Sequence, residues 1–486
     1  MENKMSPTLP ADIVEHICLF LINDGVSLAR FSLCSRELYR QIVTEDPGEL
    51  WKKAIDYQWS TRSLQGDDEP FPQDTTYRYY RQRYLMDHRA KQILDQLTMD
   101  LQQSLRVPDD AMRIDGNHHV GQAWDHFLWK ELLLLRGDVA DYLQQQARTT
   151  IVGTDGASFS FQDRLRSFLA ARALQTIQFA ECLYDWKRIQ ELHDADAEAN
   201  NGRIRSDLNT QLLEQYALLV DEMQLTPYQL IHRPCPSIKA SIIHRLDALA
   251  QACQELIRDR ESHLYRSLGV LEKIHLINDH LFGTEQFRGN SEDYYNYRNS
   301  LLDYALESKK GIPITLAIMY SCICRRLGIS VHLVGLPGHA VLGFAAERAS
   351  DEEDEHIPQV YYLDVFHQGT LLTVQDCQRI CDSYFVPWDE QHLQPLPARH
   401  VLQRMLNNLA NCHFHGLATG NEPFHSDLFF HQRALASIHR QPSGIAGPLV
   451  DRVTQELPLT LSPDLLRLYG LLTPSSNAPV APTTAG

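Results

Sequence analysis

Apolar residues recur three and four positions apart over the first fifty residues, a spacing that predicts short helices. One series runs from Ile13 to Leu21 and stops at the turn-forming positions 23–25, and a second series runs from Leu28 to Ile42. Trp51 follows as a large apolar anchor. A unit this small buries little apolar surface, so we expect a partner to cover part of it.

Polar and turn-forming residues dominate positions 56–75, which we interpret as a linker to a helical region over 76–235. At the start of this region Tyr77, Tyr80, Tyr84 and His88 share one helical face, while the arginines lie mostly elsewhere. Aromatic residues interleaved with arginine are typical of surfaces that stack on RNA. The helical spacing favours an amphipathic helix that packs through its tyrosines.

From Ile242 onward the pattern changes from helices alone to helices followed by short apolar strands. The predicted elements are helices at Leu246–Leu256, Leu264–Leu276 and Ile314–Leu327, then strands at Ile329–Leu336, His339–Ala345 and Val360–Phe366. A helix followed by three apolar strands predicts an α+β core. The acidic residues 351–355 lie between the last two strands, either as a docking site for basic partners or, as we favour, as a solvated hairpin insertion.

Helical spacing returns beyond Pro395, so we predict a C-terminal helical region over 396–472 and a disordered tail over 473–486. The fold class predicted for the whole chain is therefore mainly α with an α+β core.

The composition excludes some classes of function and indicates where the protein is located. The 486 residues carry a net charge of −17, which argues against binding nucleic acid through a cationic face. The N-terminus lacks the basic and apolar runs of a secretory signal, and the uncharged stretch Ile329–Ala346 contains proline and glycines that fit two strands better than a membrane helix. Both features predict a soluble protein without a membrane partner. Ten cysteines without a CxxC pair predict reduced thiols, and hence a protein of the cytoplasm, the nucleus or both.

A metal site is the first chemical possibility to consider. Cysteine and histidine cluster at Cys412, His413 and His415, with His425 and His431 nearby. Because no four ligands have the spacing of a zinc finger, we predict neither a metal nor a cofactor.

The N-terminal pattern resembles an F-box, and we assign the F-box to residues 5–55. In that family the helices bind the Skp-family adaptor of cullin-based ubiquitin ligases, so the resemblance implies that adaptor and a cullin scaffold as partners. A generic helical hairpin is the alternative. The residues that the resemblance places against the adaptor are Leu9, Pro10, Ile13, Ile17, Leu21, Phe31, Leu33, Leu38 and Trp51.

A second resemblance covers Phe287 to Asp364 and extends loosely from Ile242 to Leu409. Four sequence segments resemble the transglutaminase-like domain of the bacterial SirB family: FRGNSEDYYNYRNSLLDYALESKKGIPITLAIMY, RRLGI, LPGHAVLGF and YYLDVF. Tyr297 departs from the proline that the family often has. We assign this papain-like domain, with a short antiparallel sheet, to residues 236–395. Certain eukaryotic F-box proteins place such a domain behind an F-box.

Those eukaryotic proteins often carry a further small β-domain similar to a bacterial hemimethylated-DNA-binding module. After Ile445 too few residues remain for such a barrel, so we expect that this chain lacks it or comes from a shortened gene model.

The resemblance also raises a question of catalysis. A transglutaminase-like centre needs a thiol at a helix N-terminus, a histidine that activates it and an aspartate that orients the histidine. His339 and Asp364 match the last two, but the thiol position falls on Pro313. Cys322 faces the other side of that helix and Cys324 lies roughly 16 Å along its axis, so we expect no thiol catalysis and a relict pair.

These observations predict a substrate-recognition subunit of a Skp–cullin–F-box ubiquitin ligase that recruits an unidentified target protein. Two alternatives stay open. One is a thiol hydrolase or acyltransferase that uses His339, Asp364 and an unexpected cysteine. The other is an interaction scaffold outside ubiquitination, in which the F-box helices only pack against the rest of the fold.

Overall fold

The structure is a computed structural model that describes residues 76–104, 126–135, 139–150, 159–200, 204–232, 238–346, 359–419, 426–441, 443–455, 469 and 471. The predicted F-box, the linker, the acidic run 351–355 and the predicted tail lie outside the described residues. The predicted domain limits stay predictions. Within the described part, no helix combines the length and the apolar character needed to cross a bilayer.

Helices make up most of the described chain. In order they are α1 (Thr76–Ser104), α2 (His126–Leu134), α3 (Ala140–Arg148), α4 (Phe161–Ala199), α5 (Ser206–Met223), α6 (Pro227–His232), α7 (Ile238–Leu264), α8 (Val270–Asn278), α9 (Leu302–Ser308), α10 (Pro313–Arg326), α11 (Val374–Ser383), α12 (Ala398–Thr419), α13 (Ser426–His439) and α14 (Ser443–Gln455). Two predicted helices need correction: Leu246–Leu256 is part of the longer α7, and Leu264–Leu276 contains the break between α7 and α8.

The chain divides into two compact units, and the first comprises the described residues up to Gln178 together with those of Pro227–Cys235 and those after Glu456. Its core joins α1, α2, α3 and the first half of α4 through leucines, alanines and Trp129. The predicted tyrosine face of α1 is only partly correct: Tyr80 is buried, Tyr84 is half-buried and His88 is exposed. Arg83 is buried instead, where it pairs with Asp141 of α3 at 3.3 Å.

The second unit comprises the described residues of Phe179–Thr226 and Pro236–Gln455, and it contains two small sheets. Strands β1 (Arg288–Gly289) and β2 (Lys310–Gly311) are parallel, while β3 (His332–Val334), β4 (Val341–Ala346), β5 (Gln359–Asp364) and β6 (Thr370–Leu372) form one antiparallel sheet in sequence order. The predicted fold class, mainly α with an α+β core, is confirmed.

The sheet packs on a small apolar core that contains Val334, Val341, Tyr362 and two cysteines of α11, Cys377 and Cys381. Helix α10 is buried on nearly every side from Pro313 to Cys324. This is the helix that the apolar run in the sequence predicted, and its lack of a polar face follows from its position inside the unit. The sheet and this helix together position the candidate site.

Candidate functional site

The carboxylate of Asp364 lies at the end of strand β5 and is the centre of the candidate site. Its side chain is only 4% exposed. One oxygen, Oδ1, accepts hydrogen bonds from the backbone N–H groups of Phe366 (3.0 Å) and His367 (3.2 Å) in the turn that follows. These two bonds fix the orientation of the carboxylate and leave Oδ2 for side-chain donors.

His339 lies in the turn before strand β4, two residues ahead of Val341. The prediction that His339 begins a strand is therefore wrong; Gly338 has φ +66°, and the chain turns there. The His339 Nε2 donates a hydrogen bond to Asp364 Oδ2 at 2.9 Å. Because a carboxylate only accepts hydrogen bonds, Nε2 carries a proton in this arrangement.

The turn that carries His339 is held by two neighbours. Arg404 of α12 donates from Nη2 to the carbonyl oxygens of Leu336 (3.0 Å) and His339 (2.7 Å), and burial lowers the pKa of this guanidinium from its ordinary value. On the other side the ring of Tyr384 lies against Gly338, where any Cβ would collide with it. The imidazole of His339 is thereby set by its backbone as well as by Asp364.

A third side chain, His367, joins this pair, and our sequence reasoning missed it. Its Nδ1 donates to the same Asp364 Oδ2 at 2.8 Å, and its side chain is 67% exposed. The sequence feature that could have indicated it is the segment LDVFHQG, in which a histidine follows the aspartate by three residues. The segment does not reveal the turn after β5, in which the backbone N–H of His367 bonds Asp364 Oδ1 and its ring reaches Oδ2 of the same carboxylate.

The electrostatics of the site favour an ionised carboxylate. Burial alone raises the pKa of Asp364, but the hydrogen bonds and charges of His339 and then His367 outweigh it, so that this pKa lies below its ordinary value. Asp364 is therefore a negatively charged acceptor for both imidazoles at neutral pH.

Helix α10 begins at Pro313, the position at which the resemblance places the thiol. Strand β2 ends two residues earlier at Gly311, which pairs with Gly289 of β1. A Cβ on Gly289 would lie 2.5 Å from the ring of Phe366, and that ring meets His339 edge to face at 6.1 Å. These contacts connect the start of α10 with His339. Proline offers no nucleophilic group there, and it fits the first helical position because it needs no backbone donor.

The described thiols near this region are buried and poorly acidic. Cys322 and Cys324 of α10 are fully buried, and burial raises the pKa of each well above its ordinary value. Burial raises the pKa of Cys377, which also feels the charge of Asp364, to about 11. Cys381 lies 3.8 Å from His392 Nδ1, but burial raises its pKa as well. A thiol nucleophile needs the opposite shift.

The cysteine–histidine group near the C-terminus does not converge on one point. His413 stacks on Tyr297 with ring centroids 5.5 Å apart, while His415 stacks on Tyr295 at 4.5 Å. His431 stacks on Phe179 at 4.0 Å, and His425 lies outside the described residues. The nine residues predicted to bind the adaptor, Leu9 to Trp51, also lie outside them.

The helix, the antiparallel sheet and the histidine–aspartate pair define a transglutaminase-like domain. Residues 240–407 match the family model described as "Transglutaminase-like superfamily", so the chain carries such a domain. This match covers about a third of the chain. No solved structure matches the chain.

Similarity to particular proteins falls in the same region. The chain is 32% identical over 131 residues to F-box only protein 21 of Homo sapiens. The aligned stretch covers 26% of this chain and 20% of that protein. The mouse protein of the same name is 32% identical over 135 residues. A UPF0162 protein of Xylella fastidiosa is 31% identical over 169 residues, which covers 34% of this chain and 56% of that protein. The chain thus matches about a fifth of the F-box relatives' length and over half of the bacterial relative's.

Proposed function

We propose that this protein is the substrate-recognition subunit of a Skp–cullin–F-box ubiquitin ligase. The observation that carries the proposal is a combination: an F-box pattern over Leu9 to Trp51 precedes a transglutaminase-like domain that is similar to F-box only protein 21. Residues 5–55 bind the Skp-family adaptor, which connects the chain to the cullin scaffold. The relict pair His339 and Asp364 belongs to the domain at 236–395, which serves binding rather than bond cleavage.

The mechanism of such a subunit is proximity. A target held next to a charged conjugating enzyme has a high effective concentration of lysine side chains, and no chemistry by this chain is needed. Pro313 at the thiol position and the buried, weakly acidic cysteines support this non-catalytic role. The reduced thiols that the sequence predicts favour the reducing cytoplasm or nucleus as its location.

Co-purification with a Skp-family adaptor tests the proposal. We expect the full chain to form a stable complex and the triple variant L9A/P10A/I13A to lose it, since these apolar side chains form the predicted contact. The matched control E2A/N3A/K4A changes three neighbouring residues that precede the motif and should bind as the unchanged chain does.

A full chain that does not bind the adaptor overturns the assignment, as does unchanged binding by the triple variant. A variant with His339→Ala serves as a second control, because a site in the transglutaminase-like domain should not affect the adaptor. Loss of adaptor binding in that variant would contradict the division of roles.

A thiol hydrolase or acyltransferase is the second candidate. It is favoured by one observation, the retained hydrogen bond between His339 Nε2 and Asp364 Oδ2. It requires a cysteine whose rate of modification depends on His339. The two candidates differ in that reactivity. Without either property, the protein would be an interaction scaffold outside ubiquitination.

A further inference from the structure

We propose that His339, Asp364 and His367 bind one divalent transition-metal ion, with zinc as the expected ion. Each of the three side chains offers one ligand atom, and these atoms all lie within 4.8 Å of one another. This site goes beyond the recognition role proposed above. It differs from the prediction made from the sequence, which was that the protein binds no metal.

The chemical types of the three ligand atoms fit a divalent ion such as zinc, which binds both nitrogen and oxygen ligands. Two imidazole nitrogens and one carboxylate oxygen are the protein ligands of open zinc sites, which keep a further position for water or another ligand. Zinc takes nitrogen and oxygen ligands at about 2.0–2.2 Å. Donor atoms now 2.8 and 2.9 Å from a shared oxygen therefore need to separate by only a few tenths of an ångström around an ion.

Proton balance does not oppose binding. In the hydrogen-bonded arrangement the inward nitrogen of each ring, Nε2 of His339 and Nδ1 of His367, carries a proton directed at Asp364 Oδ2. Once each inward nitrogen has given up its proton it can bind a metal ion, and the outer nitrogen of the same ring can carry a proton instead. The buried carboxylate of Asp364 supplies the oxygen ligand and the negative charge that a cation needs in a partly buried position.

The ligands are also pre-organised. Oδ1 of Asp364 is held by two backbone N–H groups, and the carbonyl oxygen of His339 is held by Arg404. Contacts of this kind fix the orientation of the residues that bind the metal, and in known sites their loss lowers metal affinity about 10–100-fold. His367 is the exposed member, so the open coordination position faces solvent.

The histidine–aspartate pair at His263 shows how this site differs from an ordinary surface contact. His263 Nε2 lies 3.5 Å from Asp259 Oδ1, and both side chains are about three-quarters exposed. This pair is not part of a three-membered group among the described residues. It therefore provides a matched control.

The test is zinc binding by the full chain after dialysis against a chelator. Titration with zinc in competition with a chromogenic chelator should give one tight site per chain. Loss of a residue that only supports a ligand lowers metal affinity about 10–100-fold. We therefore expect the loss of a ligand in His367→Ala to weaken zinc binding by about 100-fold or more, and His263→Ala to leave it unchanged. His367 is exposed, so its variant should fold.

Cobalt(II) provides the second readout and separates this site from cysteine sites elsewhere in the chain. The expected spectrum has visible bands of nitrogen and oxygen ligation without near-ultraviolet thiolate bands, and His367→Ala or Asp364→Asn removes it. No zinc binding by the full chain overturns the proposal. Equal affinity in His367→Ala, or a thiolate spectrum that survives that substitution, overturns it as well.

Discussion

At the scale of single residues, His439 illustrates how burial decides a protonation state. The imidazole is 2% exposed; its Nδ1 accepts from Trp186 Nε1 at 3.1 Å, and its Nε2 donates to the Arg399 carbonyl oxygen at 2.8 Å. Protonation of Nδ1 would break the bond from Trp186. Burial, followed by the charges of Arg399, His400 and His193, lowers the pKa of His439 to about 4, although its bond to the Arg399 carbonyl opposes the shift.

We predict that stability falls as the pH drops below about 6.5, the ordinary pKa of histidine. Between pH 6.5 and 4 the unfolded chain binds a proton that the folded chain excludes, so His439 alone should cost about 2 kcal/mol of unfolding free energy by pH 5. Urea unfolding of His439→Gln at pH 7.5 and pH 5 checks this: the variant should be less stable at pH 7.5 but should lose less on acidification. The exposed His263→Gln should keep the full pH dependence, and a His439→Gln slope equal to that of the unchanged chain would contradict the assignment.

At the scale of elements, helix α9 is capped by a residue distant in sequence. Asp221 of α5 is 1% exposed, and its two carboxylate oxygens accept from the backbone N–H groups of Leu302 (2.9 Å) and Asp303 (2.8 Å). These are the first two residues of α9, whose own N-cap residue, Leu301, makes no side-chain cap. The bond pair therefore joins two elements and satisfies donors that a helix start leaves open.

Asp221→Ala should lower the free energy of unfolding by about 2–4 kcal/mol, because it leaves two buried backbone donors unsatisfied. The midpoint of urea unfolding measures the loss. Asp207→Ala is the matched control on the same helix, since Asp207 is 76% exposed and should cost less than about 0.5 kcal/mol. Equal midpoints for the two variants would show that the cap does not stabilise the unit.

The elements also show what the sequence could predict. Helix α10 was placed within one residue at each end, because its apolar run is long and a proline and a glycine bound it. Strand β6 was missed, since one exposed and two half-buried residues carry no periodic signal. In the site, the resemblance supplied His339 and Asp364. It did not supply His367, whose position depends on the turn after β5 that the backbone N–H groups of Phe366 and His367 form on Asp364 Oδ1.

At the scale of the whole molecule, cysteine reactivity separates the two functional classes. Of the chain's ten cysteines, the structure describes seven, and all seven are buried. Burial raises the pKa of five of them above the ordinary value. The five are Cys253, Cys322, Cys324, Cys377 and Cys381. A thiol protected in this way reacts slowly, since the thiolate is the nucleophile and water-borne reagents must reach it.

We therefore predict that at most three thiols of the native chain, Cys18, Cys34 and Cys235, react quickly with a small disulfide reagent at pH 7, and that all ten react after denaturation in urea. The rates should be the same in the chain with His339→Ala, because the resemblance places the thiol at Pro313, which has no nucleophilic group. A single cysteine that is modified rapidly at pH 6, and slowly once His339 is replaced, would contradict the non-catalytic reading. It would move the protein from the class of recognition subunits to that of thiol enzymes, since only an activated thiolate depends on a neighbouring imidazole in this way.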